Sequence, residues 1–167
     1  MQNVHFQSSE KDWETPDCIF LPLKEEFDIA FDVCASEENK KCDAYFDRKA
    51  NSLAQNWQHL LWRTADKGAV WMNPPYGRGI EQWVRKAYNE SQKGLTVVAL
   101  LPARTDTSWF HNYILNKQEV RYLRGRIKFV GANSSAPFPS MVVIFRPNKK
   151  NKVTIIDKIK TIWKKLK

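Results

Sequence analysis

The tetrapeptide Asn73-Pro74-Pro75-Tyr76 combines residue types that suit one kind of chemistry. Each proline fixes its own φ angle, and Pro74 keeps Asn73 out of the helical region, so the turn is rigid. The turn offers two acceptors, the Asn73 side-chain oxygen and the Pro74 carbonyl, beside an aromatic wall, Tyr76. Two acceptors that bind the hydrogens of a planar amine draw its nitrogen towards tetrahedral geometry, which frees the lone pair for attack. This Asn-Pro-Pro-Tyr turn therefore indicates methyl transfer to a planar nitrogen, and a proline-rich turn without chemistry is the alternative.

Apolar runs alternate with helical patterns along the chain, and these elements must position the turn. Helices are predicted at 80–92 and 108–116. A further helix, capped by Thr15, is predicted to begin at Pro16 and to be shortened or kinked by Pro22. Strands are predicted at 27–34, 44–46, 68–72, 96–101, 120–123, 127–130 and 140–145. The pattern predicts an α/β, Rossmann-like fold with a mainly parallel sheet, an antiparallel edge and helices on both faces.

Polar residues stand where several of these strands end, and open parallel sheets bind ligands at that edge. Asp32 occupies the first strand-to-helix turn, where the small residues Cys34 and Ala35 allow close backbone approach. Asp47 follows the second strand and is a candidate for ribose hydroxyls, and Asn51 is a candidate for an adenine edge. These residue types suit a sulfonium cofactor, which needs partners for its charged end, its ribose and its adenine. A surface turn is the alternative for Asp32 alone.

Length, charge and cysteine count limit the possible classes of protein. The 167 residues fit one domain, and the formal net charge of +9 favours a polyanionic partner, although a merely soluble basic surface has the same excess. Three cysteines and three histidines show no metal-ligand spacing, so neither a metal site nor a disulfide framework is predicted. No run has membrane-spanning length and no secretory segment begins the chain, which predicts a reduced, cytoplasmic protein without a membrane partner.

Seven segments share their order and spacing with one known family: 13–16, 31–35, 51–54, 71–76, 101–107, 123–129 and 136–140. In these segments the chain resembles the phage-type DNA N6-adenine methyltransferases of the Dam family. The resemblance implies S-adenosylmethionine as cofactor and a flipped adenine of double-stranded DNA as acceptor, and the family name suggests GATC as target. It implies Thr15 and Pro16 at the methionine end of the cofactor, Asp32 at its first turn, and the Asn-Pro-Pro-Tyr turn as catalytic motif. A phage origin would place the protein in the cytoplasm of a bacterial host.

Sequence recognition must come from loops, because no large separate recognition domain fits. Arginine side chains bind guanine edges or phosphates, and both roles stay open. The candidate DNA-binding residues lie after two predicted strands: Arg104, Asp106, Trp109, Arg124, Arg126 and Lys128.

The chain is predicted to have three parts. A loose segment covers 1–11, a methyltransferase domain covers 12–147, and a basic linker with an amphipathic helix covers 148–167. This last helix would pack on the sheet, grip phosphate or, as a distant third, adsorb to a membrane. Its apolar stripe consists of Ile155, Ile159, Ile162, Trp163 and Leu166.

Two other interpretations stay open. Many DNA adenine methyltransferases have Asp at the position of Asn73, and the Asn form also occurs in enzymes that act on RNA bases or on protein glutamine. The acceptor would then be RNA adenine or a glutamine side chain. The other interpretation is a basic nucleic-acid-binding module without catalysis. The basic charge and the phage-type segments favour DNA over glutamine, and the intact turn favours an enzyme.

Overall fold

The computed structural model describes residues 13–59, 68–147 and 152–156, which contain one mixed sheet of seven strands. The strands are β1 (Ile29–Asp32), β2 (Ala44–Tyr45), β3 (Ala69–Met72), β4 (Val97–Pro102), β5 (Glu119–Leu123), β6 (Ser140–Phe145) and β7 (Val153–Ile156). Their order is β2-β1-β3-β4-β6-β5-β7. β2, β1, β3 and β4 pair in parallel, β6 is antiparallel to β4 and β5, and β7 is parallel to β5. This arrangement confirms the predicted Rossmann-like α/β fold.

Helices cover both faces of this sheet, as predicted. They are α1 (Asp17–Phe27), α2 (Ile80–Gln92) and α3 (Ser108–Tyr113), with a 3₁₀ turn at Ser52–Ala54. α2 and α3 pack on the face that holds Val97 and Ala99, and α1 packs on the face that holds Val98 and Leu100. Both faces of β4 are thus buried, which explains its continuous apolar run. Among the described helices, none is long and apolar enough to cross a membrane.

The start of α1 differs from the sequence-based expectation. The helix begins at Asp17 with Pro16 as its N-cap residue, and no side chain caps it. Thr15 therefore does not act as the predicted cap, and Pro16 is not the first helical residue. Pro22 was predicted to shorten or kink the helix. The helix continues through Pro22 to Phe27, so the shortening is wrong, and the kink stays a prediction.

Residues 127–130 do not form the predicted strand. The Ile127 carbonyl accepts from the Ala136 N–H at 2.7 Å, and the Val130 N–H donates to the Glu14 carbonyl at 3.0 Å. These bonds join a loop to itself and to the N-terminal segment rather than to a neighbouring strand. Ile127 is buried because the loop packs on the sheet face next to α1.

The C-terminal prediction is corrected at Ile155. This residue lies in β7, which extends the sheet beyond Pro147, and not in a helix. The remaining members of the predicted stripe, and the segment predicted to be loose at 1–11, lie outside the described residues.

Gly68, the residue before β3, has no room for a side chain. A Cβ atom on Gly68 would lie 2.0 Å from the Asp28 carbonyl oxygen, far inside the closest possible contact. That same carbonyl accepts a hydrogen bond from the Ala69 N–H at 3.0 Å. β3 can therefore begin beside the end of α1 only if residue 68 has no side chain, and β3 ends one residue before Asn73.

Candidate active site

A cavity of about 820 Å³ opens at the carboxyl ends of β1, β2 and β3. Parallel strands expose their ends at one edge, and the loops that follow these three strands supply most of the wall. Of the predicted site residues, the cavity brings together Thr15, Asp32, Cys34, Ala35, Asp47, Asn51, Asn73, Pro74, Pro75 and Tyr76. Pro16 is the one predicted cofactor residue outside this wall.

Asn73 has a fixed amide group. Its Nδ2 donates to the Trp13 backbone carbonyl and to Thr15 Oγ1, the latter at 3.1 Å. A carbonyl oxygen only accepts, so the nitrogen of the amide must face Trp13. Asn73 Oδ1 is left buried without a hydrogen-bond partner. An unpaired buried acceptor is costly to a fold, and a ligand that donates a hydrogen bond to Asn73 Oδ1 would remove this cost.

Tyr76 is held by its hydroxyl and by two aromatic neighbours. The hydroxyl donates to the Leu100 carbonyl at 3.1 Å. The ring meets Phe138 edge-on at 5.5 Å between centroids and Phe129 at 6.3 Å. Burial raises the pKa of Tyr76 far above its usual range, so the phenol stays neutral. The side chain is thus a fixed, uncharged wall of the cavity.

Three aromatic residues that the sequence analysis did not single out support this wall. The Trp13 ring lies 5.0 Å from Phe129 and 5.8 Å from Phe138. The cluster joins the N-terminal segment, the Asn-Pro-Pro-Tyr turn and the loop between β5 and β6. All three residues occur within the segments that carried the family resemblance, which is the signal that could have identified them.

Asp32 is a buried carboxyl group at the end of β1, with 2% of its surface exposed. It accepts hydrogen bonds from the Cys34 N–H at 3.0 Å and the Lys41 N–H at 3.1 Å. Burial raises its pKa to about 6, although these two bonds and the charge of Lys41 oppose the shift. At neutral pH the group is therefore ionised inside the cavity wall, where it suits a cationic partner.

Cys34 lies beside this carboxylate, and burial raises the pKa of its thiol well above the ordinary value. The thiol is therefore protonated at neutral pH and does not serve as a nucleophile. Its role in the cavity is that of a small wall residue.

Lys41 is a site residue that the sequence analysis missed. Its Nζ pairs with Glu14 and with Asp17, at 3.1 Å in each case, and its side chain is only 11% exposed. Its backbone also binds Asp32, so Lys41 ties the N-terminal segment to the loop after β1. A single lysine in a polar loop carries no sequence signal for such a role.

The two candidates for the far end of a cofactor lie in the loop after β2. One oxygen of Asp47 accepts from the Ala50 N–H at 2.9 Å, so the carboxylate also stabilises a turn. Asn51 is exposed and has a left-handed backbone with φ of 47°, just before the 3₁₀ turn.

The predicted DNA-binding residues lie apart from the cavity wall. Exposed residues follow β4 and β5 at the same edge of the sheet, namely Arg104, Asp106, Arg124, Arg126 and Lys128. Trp109 is different, because it is 4% exposed and belongs to the core between α3 and the sheet. The prediction that Trp109 contacts DNA is therefore corrected.

Comparison with known proteins identifies the family of this chain. A family model described as DNA N-6-adenine-methyltransferase (Dam) matches residues 3–165. The DNA N-6-adenine-methyltransferase of Haemophilus phage HP1 is 30% identical over 156 residues, which cover 88% of this chain and 86% of that protein. The enzyme of the same name from Escherichia phage T1 is 30% identical over 112 residues, 66% of this chain and 44% of that protein. A solved structure of a predicted O-methyltransferase from Agrobacterium tumefaciens covers 52% of this chain and 39% of its own, at 20% identity and a TM-score of 0.33. The family match spans nearly the whole sequence and confirms the resemblance, so this chain belongs to the Dam family of DNA N-6-adenine methyltransferases.

Proposed function

We propose that this enzyme transfers a methyl group from S-adenosylmethionine to N6 of an adenine that has left the DNA duplex. One observation carries the proposal: Asn73 Oδ1 is a buried acceptor without a partner in a residue that lines the cavity. The exocyclic amine of adenine supplies the donor that this atom lacks. DNA and cofactor are both available in the cytoplasm of a phage host, where we place the reaction.

The residue types of the turn and the unpaired Asn73 Oδ1 support this chemistry. Asn73 Oδ1 and the Pro74 carbonyl bind the two amine hydrogens and draw the nitrogen out of conjugation with the ring. Tyr76 holds the ring by stacking, since its own position is fixed by Leu100 and Phe138. This is catalysis by orientation and preorganised hydrogen bonds, so the attack itself needs no group of low pKa. As the nitrogen gains the methyl group from the sulfonium, it carries one proton too many and releases it to water.

The cavity residues fit the proposed cofactor. S-adenosylmethionine supplies an electrophilic methyl group when bound. The Asp32 carboxylate would bind its ammonium group and Thr15 the rest of the methionine end, while Asp47 and Asn51 would bind ribose and adenine. The buried negative charge of Asp32 supports this orientation, because a desolvated carboxylate is stabilised by a cation.

Cofactor affinity is expected to depend on pH through Asp32. The carboxyl group must be ionised to bind a cation, so affinity should fall by about tenfold per pH unit below its pKa of about 6. Calorimetry from pH 5 to 7 without DNA measures this slope, and buffers of different ionisation enthalpy report the released proton. Asp32→Asn should bind weakly with no slope, whereas the control Asp47→Asn should keep the slope. If the wild-type affinity is constant from pH 5 to 7, the ammonium group of the cofactor does not bind to Asp32.

DNA affinity is expected to depend on salt through the exposed residues after β4 and β5. Each lost phosphate contact reduces the log–log salt slope by about 0.9. If Arg126 and Lys128 bind phosphate, Arg126→Gln and Lys128→Gln should each flatten the slope equally for all sequences. A changed sequence preference would instead show that the residue binds a base edge. Lys24→Gln is the matched control, because Lys24 lies in the last turn of α1 near the opposite edge of the sheet. If both variants have the salt slope of the wild type, the loop after β5 does not contact DNA phosphates.

A side-by-side transfer assay tests the proposal as a whole. Labelled cofactor is offered with duplex DNA that contains GATC, with a scrambled duplex, with RNA and with a glutamine-containing protein extract. We expect label at N6 of adenine in DNA, and the two duplexes decide whether GATC is the target. Label in RNA or in protein alone would show that the acceptor is not DNA. Absence of label in all four substrates would favour a nucleic-acid-binding module without catalysis.

A further inference from the structure

Segment 13–15 lies against the Asn-Pro-Pro-Tyr turn and accepts two hydrogen bonds from the Asn73 amide nitrogen. Nδ2 has two hydrogens, and it donates to the Trp13 carbonyl and to Thr15 Oγ1. The opposite orientation would set the amide oxygen against the Trp13 carbonyl, which repels it. The segment therefore selects which end of the Asn73 amide is left unpaired, and that end is the oxygen.

Contacts that do not involve Asn73 hold this segment in place. The Trp13 ring packs between Phe129 and Phe138. The Glu14 carbonyl accepts from the Val130 N–H, and the Glu14 carboxylate pairs with Lys41. Thr15 is 1% exposed although its side chain is polar. The two acceptors for Asn73 are thus supplied by a segment whose position other contacts determine.

We infer that Thr15 and the Trp13 carbonyl are positioning groups for methyl transfer: they hold the Asn73 amide with Oδ1 available to the target amine. The inference rests on the proposed function. It assigns to Thr15 an effect on turnover through Asn73, which is separate from any contact with the cofactor. The hydrogen bond between Asn73 and Thr15 thus connects the cofactor end of the cavity with the acceptor end.

An Asp side chain at position 73 would not fit this arrangement. A carboxylate there would have no hydrogen to donate, and it would face the Trp13 carbonyl with like partial charge. Asn73→Asp should therefore lower kcat by about a hundredfold or more, because a buried charged acceptor is left without a donor. The substitution that matches other members of the wider class is expected to inactivate this one.

Substitutions at Thr15 test the positioning role directly. Thr15→Val keeps the shape and removes one acceptor, which should lower kcat by about three- to tenfold at saturating cofactor and DNA. Thr15→Ser keeps the hydroxyl and should restore kcat. Thr96→Val, at the amino end of β4, is the matched control. Thr15→Val with wild-type kcat and only weaker cofactor affinity would overturn the inference, as would a fully active Asn73→Asp.

An NMR measurement tests the orientation without any reaction. In ¹⁵N-labelled protein, the Asn73 side-chain signal is assigned by its absence from Asn73→Ala. The hydrogens of the Asn73 side chain should exchange slowly with solvent in the wild type and faster in Thr15→Val. If Thr15→Val does not fold, the exchange rate in the wild type and the kcat of Asn73→Asp test the inference instead. An active wild-type enzyme with rapid exchange overturns this inference, whereas slow exchange in an enzyme without methyl transfer overturns only the proposed function.

Discussion

Asn73→Ala is expected to lower kcat by about a hundred- to a thousandfold while cofactor affinity changes little. The reason is that Asn73 Oδ1 is assigned to the amine, whose hydrogen bond strengthens as the nitrogen becomes tetrahedral. Single-turnover transfer to duplex DNA measures the chemical step, and calorimetry without DNA measures cofactor affinity. A loss of this size corresponds to about 3–4 kcal/mol of transition-state stabilisation.

The control for this prediction is Asn89→Ala, because Asn89 is an exposed residue in the last turn of α2. It removes an equal side chain away from the Asn-Pro-Pro-Tyr turn and should leave kcat unchanged. If Asn73→Ala turns over like the wild type, the amine is bound elsewhere and the mechanism is wrong. If both kcat and cofactor affinity collapse, Asn73 supports the cavity rather than the amine.

Tyr76→Ala is expected to lower kcat/KM by about ten- to a hundredfold, in line with the 1–3 kcal/mol that base stacking contributes. The substitution removes the aromatic wall and its contacts with Phe129 and Phe138. A fluorescent adenine analogue at the target position should report weaker capture of the flipped base. Tyr76→Phe keeps the ring and should keep most of the activity.

The phenylalanine variant separates two roles of this tyrosine. It leaves the Leu100 carbonyl without its donor, so thermal unfolding should show a loss of about 1 kcal/mol in stability. Stability should therefore fall while catalysis is largely kept. Equal inactivity of Tyr76→Phe and Tyr76→Ala would show that the hydroxyl, and not stacking, is what the reaction needs.

Elements with a strong local pattern were predictable from the sequence. α2 spans Ile80–Gln92, as its helical apolar spacing predicted, and β4 follows the buried run that ends at Pro102. Local periodicity determined these elements because each buries a face, or both faces, of its own.

Other segments depend on distant partners that a local pattern does not contain. Residues 127–130 are apolar like a strand, yet the N–H of Val130 bonds to the carbonyl of Glu14. Ile155 lies at a spacing that fits a helix, but neighbouring β5 offers an edge for pairing in parallel. Trp109 stands close in sequence to exposed residues suited to DNA, but α3 turns its side chain into the core.

The candidate site, too, was predictable where local sequence determines it and not where distant contacts do. The edge of the sheet and the Asn-Pro-Pro-Tyr turn were evident from residue types at predicted strand ends. The partner of Asn73 was not, because Thr15 is 58 positions away and was predicted to cap a helix. The contribution of Lys41 was also hidden, since its partners lie on another element and its side chain has no distinctive neighbours in sequence.

The close approach at Gly68 has a consequence for how this sequence can change over generations. All other amino acids carry a Cβ atom, so every replacement at this position meets the same obstruction, whatever its polarity or size. Gly77 and Gly79, where an added Cβ meets nothing within 4 Å, lie nearer to the catalytic residues and face no such obstruction. In a library of random variants selected for methylation, position 68 should thus retain glycine alone. A strict constraint on inheritance thus also lies at the amino end of β3, opposite the end that performs the chemistry.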